Sequence, residues 1–297
     1  MARNPYQLWR QLEKDDVKVL AVIESLQGRY EYVPVELLER RTRLPGPRIK
    51  RSLDKLNELK LIKRKLGSII GYSLTFYGLD VLSLNNLIAR NVIAALGDRI
   101  GVGKEGSVYY ALTPSGERVV VKFHREGRRT FRRIRLLRSY AADKPRKHWL
   151  QIAKLIGERE FKALVELERE GARVPRAIAW NRNAVVQEYI PGVELYRVRG
   201  LTVEEAEAVL EDIVETIRIA YARVGIVHGD LSEYNVLVPE NGGAYIIDWP
   251  QYAYREEEGA DLLLQRDLEY ISRYFRKRFG IQVDWRKLLE RVRGNAP

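Results

Sequence analysis

The chain has no cysteine, one methionine and three histidines among 297 residues. Without cysteine there is no disulfide framework and no thiolate-ligated zinc or iron–sulfur centre. The sequence also lacks an apolar run of 18 residues and a secretory signal pattern, which predicts no membrane span and points to the cytoplasm. Acidic residues are in deficit, 40 against 52 Lys and Arg, for a formal net charge of +12. Such a surplus suits a polyanionic partner, nucleotide or nucleic acid. Apolar residues are plentiful at 45%, enough to bury the core of one large domain or two ordinary ones.

The first ninety residues read as one unit. Val17, Leu20, Ala21 and Ile23 make a helical stripe within residues 16–27, Pro34 opens a short helix through Arg40, and Leu44-Pro45-Gly46-Pro47 makes a turn. A third helix from Arg48 to about Leu59 turns Ile49, Leu53 and Leu56 inward and Arg48, Lys50, Arg51 and Lys55 outward. Two short strands divided by Gly67-Ser68 follow, then helical spacing over 75–90. Three helices and a hairpin predict a winged helix. Its basic third helix suits a nucleic-acid groove. The same residues equally suit the solvated face of a protein-docking module.

From Asn91 the pattern changes. Gly101, Gly103, Gly106 and Val108 match G-x-G-x-x-G-x-V, read as a glycine-rich loop ahead of two antiparallel strands, the second ending at Lys122. Glycines let a backbone approach phosphates closely, and a lysine supplies charge. One Gly-x-Gly alone marks only a tight turn.

Further on, "VHGDLSEYNVLV" at 227–238 places Asn235 five residues after Asp230, and the apolar run Tyr245–Ile247 delivers Asp248 thirteen residues later. Phosphoryl transfer needs a carboxylate to orient a hydroxyl and oxygen ligands to hold magnesium or manganese on the phosphates of ATP. Asp230 fits the first task; Asn235 and Asp248 fit the second. Singly, each has a plainer reading: His228 as a buried histidine on backbone, Asp230 as a turn residue, Asn235 as a cap, Asp248 as a strand end. Their joint order, glycines, Lys, Asp, Asn, Asp, favours the catalytic set.

These stretches, with "HREGRRTFRRIR" from His124 and "IIDWPQ", resemble the RIO family of atypical protein kinases, in its second, winged-helix-bearing type, over essentially the whole chain. The resemblance implies an α+β fold: a winged helix over 1–90, then a compact two-lobed kinase-like domain over 91–297, with lobes of about 91–188 and 189–297. It implies a self-phosphorylating serine/threonine kinase or ATPase acting in small ribosomal subunit maturation, with the subunit precursor and its RNA as partner. Matched residue by residue, Lys122, Asp230 and Asp248 are catalytic and Asn235 and Asp248 hold metal. Gly101, Gly103, Lys104, Glu105, Gly106, Ser107 and Val108 would cradle ATP, with Ser107 near the γ-phosphate. Glu160 would pair with Lys122, with Glu158 as its rival. The backbone of Glu188 and Ile190 would meet adenine, and Arg266-Asp267 would brace the catalytic loop.

The departures from ordinary protein kinases also bear on function. Gly229 stands where those enzymes carry Arg, and no activation loop is evident. After Asp248 only 49 residues remain, read as helices over about 261–279 and 283–293, with no room for a large substrate lobe. Pro250, with φ fixed near −65°, disfavours a flipping switch and predicts a permanently assembled site. Residues 124–148 hold ten Lys and Arg against two acidic residues, interleaved with Phe131, Ile134, Leu136, Leu137 and Tyr140, a composition suited to binding RNA. Two other readings use similar words: an aminoglycoside- or choline-type phosphotransferase, and a winged-helix regulator with a vestigial kinase fold.

Overall fold

The computed structural model describes residues 4–67, 70–103, 106–125 and 149–294. These fall into two compact units. The first holds residues up to 125 with 149–157 and 180–184; the second holds 158–179 and 185–294.

The first unit begins with a short helix absent from the sequence reading, α1 (Pro5–Trp9), capped by Asn4, whose Oδ1 accepts the Tyr6 N–H at 2.8 Å. Helix α2 (Lys14–Leu26) starts two residues before the expected stripe because Glu13 and Asp16 cap each other, the Asp16 carboxylate accepting the Glu13 N–H at 2.9 Å. Strand β1 (Val33–Pro34), α3 (Val35–Thr42) and α4 (Gly46–Glu58) follow. Pro47 lies in the first turn of α4, where a missing N–H costs nothing, so that helix also starts earlier than Arg48. Strands β2 (Ile62–Lys65) and β3 (Gly71–Leu74) pair antiparallel with Ile62 opposite Leu74, and β1 adds to β3. Helix α5 (Phe76–Ala89), capped by the Thr75 hydroxyl, completes the predicted winged helix around Ile23, Leu38, Ile49, Leu53 and Leu56.

The apolar stripe of α4 faces this core, and its cations face carboxylates at the start of α2. Arg48 bonds Asp15, Arg51 lies 3.3 Å from Glu13, and Lys55 lies 2.8 Å from the buried Asp16. Much of the charge on the expected groove helix is therefore answered inside the unit. The core also extends beyond residue 90. Leu150 and Ala153, in the first turns of α6 (Trp149–Arg169), belong to the same apolar cluster, and Trp149 packs on Phe76 with ring centroids 4.3 Å apart. Three antiparallel strands, β4 (Ala95–Gly103), β5 (Gly106–Leu112) and β6 (Arg118–His124), complete the unit.

In the second unit, α6 continues past Gly157. Strands β7 (Ala177–Asn181) and β8 (Ala184–Glu188) flank a turn at Arg182, φ 54°, which belongs to the first unit. Strand β9 (Gly192–Glu194) leads to α7 (Val203–Ile219), capped reciprocally by Thr202 and Glu205. Short strands β10 (Ile226–Val227), β11 (Val236–Pro239), β12 (Tyr245–Ile246) and β13 (Ala253–Tyr254) form two small sheets, ordered β12-β11-β9 and β10-β13. Helices α8 (Ala260–Phe279) and α9 (Trp285–Arg293) match the two read from the tail, each closed by a glycine with positive φ. No helix among the described residues is long and apolar enough to cross a membrane.

One buried cluster ties α2 to later elements of the first unit. Glu24 accepts a bidentate pair of bonds from Arg182 at 2.7 and 2.9 Å and lies 2.6 Å from Lys154 of α6. Burial pushes the Glu24 carboxyl up, but Arg182 and Lys154 outweigh it and hold it below its usual range. A depressed carboxyl contributes stability that is present above the ordinary glutamate pKa and lost as pH falls through the lower folded value. Glu24→Gln should cost about 2–3 kcal/mol at pH 7 in denaturant unfolding and should shrink the loss of stability below about pH 4.5. An unchanged acid limb in the variant would exclude this cluster as its source.

Candidate active site

Strand β10 ends at Val227, and His228-Gly229-Asp230 follow. Gly229 has φ +76°, and a Cβ there would lie 3.1 Å from the Gln251 carbonyl, so glycine fits both the turn and the close approach. The loop is fastened from α8. Asp267 accepts the Gly229 N–H at 2.7 Å and, more weakly, the Leu231 N–H at 3.4 Å, the amides flanking Asp230. Arg266 donates to the Gly229 carbonyl and to Asp267 at 3.1 Å. The brace expected of this pair is thus present in atomic contacts. Asp267 is 2% exposed, and burial pushes its carboxyl up against the opposing pull of His228, Arg266 and the Gly229 N–H.

His228 is buried and bonds backbone. Its Nδ1 accepts the Asp230 N–H at 3.2 Å, which leaves Nε2–H to donate to the Ile247 carbonyl at 3.1 Å. Its ring packs on the fully buried Trp249 at 4.6 Å. Asn235 Nδ2 donates to the Asp230 carbonyl at 2.9 Å, and the Ile247 N–H donates to the Asn235 carbonyl at 2.9 Å. The antiparallel register Val236↔Ile246 explains this last bond and puts Asp248, φ +68°, at the same end of the β11–β12 pair as Asn235. Asp230, Asn235 and Asp248 are therefore brought together by one circuit of backbone bonds.

These side chains suit a hard divalent cation. Asn235 spends its amide N–H on Asp230, which turns its carbonyl oxygen to other use, and Asp248 adds a carboxylate. Among the described residues there is no cluster of three or more His, Asp or Glu that could hold a metal alone. Two protein oxygens are what magnesium requires when phosphates and water complete its shell.

Arg159, which local sequence did not single out, pins the segment after Asp248. It donates to the Pro250 carbonyl at 3.4 Å and the Tyr252 carbonyl at 2.5 Å, and its guanidinium lies 4.0 Å from the Tyr252 ring centroid. Its partners are 91 and 93 residues away, beyond any local spacing. Next to it on α6, Glu160 is fully buried, whereas Glu158 faces outward and pairs with Lys162 at 2.7 Å. At the end of β8 the Glu188 N–H bonds the Arg176 carbonyl, and just beyond it the Ile190 carbonyl accepts the Gly192 N–H, both at 2.9 Å. These two bonds do not use the Glu188 carbonyl or the Ile190 N–H.

In the first unit the glycine signature departs from a loop. It forms the end of the β4–β5 hairpin, with Gly101 opposite Val108 and Gly103 opposite Gly106, in a ladder with two register shifts. Glycine is enforced at 106, where a Cβ would meet the Phe123 carbonyl at 2.3 Å; at 101 a Cβ would touch nothing within 4 Å. Ser107 is buried in β5 and its hydroxyl bonds Tyr109. Val108 sits directly opposite Lys122 of β6, so the two share one face of the sheet. Lys104, Glu105 and the arginine-rich stretch 126–148 lie outside the described residues.

A family model described as the RIO domain matches residues 107–288, and one described as Rio2, N-terminal, matches residues 9–90. The RIO-type serine/threonine-protein kinase Rio2 of Methanocaldococcus jannaschii is 38% identical over 84% of this chain and 91% of its own length. Serine/threonine-protein kinase rio2 of Schizosaccharomyces pombe is 31% identical over 93% of this chain and 79% of its own, whereas in that of Dictyostelium discoideum, 32% identical, the match spans 51% of the relative. A crystal structure of the Rio2 kinase-ADP/Mg2+-phosphoaspartate complex from Chaetomium thermophilum superposes with TM-score 0.80 and 28% identity, covering 96% of this chain and 88% of that one.

The loop geometry makes a direct prediction for Asp267. Asp267→Asn turns an amide donor toward the backbone donors of Gly229 or Leu231 and should destabilise the second unit by about 2–3 kcal/mol in denaturant unfolding. A change below about 0.5 kcal/mol would mean the loop holds its shape without the carboxylate.

Proposed function

The chain belongs to the RIO family of serine/threonine protein kinases, in its Rio2 branch, and we propose on that basis that it transfers the γ-phosphoryl group of ATP in the cytoplasm. The observation that carries this reading is the circuit that gathers Asp230, Asn235 and Asp248 at one edge of the second unit. Asp230 orients the attacking hydroxyl, and Lys122 bears on the phosphates. Asn235 and Asp248 would hold Mg2+, with Mn2+ as the alternative, and that ion neutralises charge on the phosphate oxygens. By the family resemblance Gly101, Gly103, Lys104, Glu105 and Gly106 would cradle the phosphates, and the backbone of Glu188 and Ile190 would take adenine. Glu160, the buried carboxylate of α6, would be the lysine's counter-ion.

The neighbouring crystal structure, by its description, contains a phosphoaspartate. For this chain we assign that acceptor to Asp248, whose carboxylate lies at the metal edge of the site. An Asp248 oxygen would attack the γ-phosphorus as the bond to ADP breaks, and water would later release inorganic phosphate. The protein would then act as a switch driven by ATP turnover, with self-phosphorylation on hydroxyl side chains as a parallel outcome. Aminoglycoside- and choline-type phosphotransferases share the words His-Gly-Asp and Ile-Asp-Trp, but the winged helix does not suit them.

Radiolabelled ATP separates the steps. Asp230→Ala should slow turnover by about a hundred- to ten-thousand-fold while nucleotide affinity stays largely intact. Wild-type protein should carry a label that hydroxylamine removes, and Asp248→Asn should carry none. Unchanged turnover in the first variant, or an unchanged hydroxylamine-sensitive label in the second, would overturn the assignments.

The partner we propose is the small ribosomal subunit precursor, bound through RNA. The support is charge: 124–148 carries ten basic residues against two acidic ones, whereas Arg48 and Arg51 of α4 are engaged by Asp15 and Glu13. Six phosphate contacts would weaken binding on the order of a thousandfold between about 50 and 200 mM salt. Changing Arg128, Arg129, Arg132 and Arg133 to Glu should remove most of the affinity for small-subunit RNA, and changing Arg48, Lys50 and Arg51 to Glu should remove less. Full affinity in the first variant would exclude that stretch as the RNA surface.

A further inference from the structure

The phosphoryl chemistry leaves one buried polar network of the first unit unused. Asp80, on α5 of the winged helix, has no exposed surface. Its Oδ1 accepts Asn183 Nδ2 at 2.8 Å and its Oδ2 accepts Arg125 Nη2 at 2.7 Å. Asn183, equally buried, uses the same amide nitrogen on the His124 carbonyl at 2.9 Å, accepts the Ser83 hydroxyl on Oδ1 at 2.9 Å, and takes the His124 N–H on its own carbonyl at 2.8 Å. Both backbone groups of His124 are thereby held by one residue, and that residue is held by α5 through Asp80 and Ser83. Arg125, the next residue along, is fixed by Asp80 and lies 4.8 Å from the centroid of the Tyr77 ring, also on α5.

Burying a carboxylate this deeply is costly, and an apolar contact of equal volume would often be as stable or more so. Burial accordingly pushes the Asp80 carboxyl up, against the pull of Arg125 and Asn183. What an apolar contact lacks is direction. Side chains such as Leu and Val let a helix slide on a strand end by fractions of an ångström, whereas five hydrogen bonds with fixed donors and acceptors allow one arrangement. The strand end so fixed is that of β6, and Lys122 stands two residues before His124 on it.

We propose that Asp80 is a positioning residue of the nucleotide site: through Asn183 and Arg125 it fixes the end of β6 and so the reach of Lys122, making α5 of the winged helix part of the ATP-binding apparatus. This rests on the reading of Lys122 as a phosphate contact. Asp80 itself touches no nucleotide. The consequence is selective, because a displaced Lys122 weakens phosphate binding and leaves the adenine end untouched. Any ligand that shifts α5 would change affinity for ATP, and by linkage ATP would change affinity for that ligand equally.

The test compares ATP with adenosine in the full-length chain by titration calorimetry, for wild type, Asp80→Asn, Asn183→Ala and Lys122→Met, with the double variants. Asp80→Asn and Asn183→Ala should each weaken ATP about tenfold, the scale of one lost charge-assisted contact, with adenosine affinity unchanged. In the Lys122→Met background the same changes should have no further effect on ATP. Equal loss of ATP and adenosine, or a full effect persisting in that background, would reduce Asp80 to a general stabiliser and overturn the proposal. Should Lys122→Met bind ATP as tightly as wild type, the reading of Lys122 is what fails, whatever Asp80 does. If Asp80→Asn yields too little folded protein, Ser83→Ala leaves both charges in place: an ATP-selective loss supports the proposal, and unchanged ATP binding overturns it.

Discussion

One buried carboxylate organises the loop that carries Asp230. Asp267 takes the amides on both sides of Asp230, and from there the bonds run outward: Asn235 to the Asp230 carbonyl, Ile247 to the Asn235 carbonyl, His228 to the Ile247 carbonyl. Each link satisfies a backbone group in a buried or half-buried position. Gly229 permits this because it alone meets the positive φ and the close Gln251 carbonyl. Trp249 and Arg159 hold the far side, where Asp248 enters. Every donor and acceptor in the circuit is a group of this chain.

The winged helix is built into the first unit. Its apolar core includes the opening turns of α6, and two polar clusters, centred on Glu24 and Asp80, tie α2 and α5 to Lys154, Arg182, Asn183 and the end of β6. The compact units consequently cut across the 1–90 and 91–297 division. This interlocking gives the winged helix a structural task within the unit: it supplies groups that anchor the end of β6.

What the sequence disclosed, and what it hid, follow from range. Helix stripes, the hairpin and the tail helices were legible because their signals lie within a few residues, and Asp230, Asn235 and Asp248 because their spacing is fixed by one loop and one short strand pair. Range hid the pairing of Arg48, Arg51 and Lys55 with Asp15, Glu13 and Asp16, 33 to 39 residues away, so the α4 face read as more basic than it is. It also hid Arg159, Asp80 and Asn183, whose partners are 45 to 103 residues distant. The glycine signature read as a loop because glycine has weak strand preference, yet cross-strand pairing with Val108 and Gly106 draws it into a hairpin.

The central claim, that the catalytic loop is preformed by Asp267, is tested most directly by amide hydrogen exchange of the nucleotide-free protein, resolved at Gly229 and Leu231. The account predicts slow exchange at both amides before any ATP is added, little further slowing with Mg2+ and ATP, and fast exchange in Asp267→Ala. Fast exchange in the free wild-type protein, with protection arising only when nucleotide binds, would contradict it.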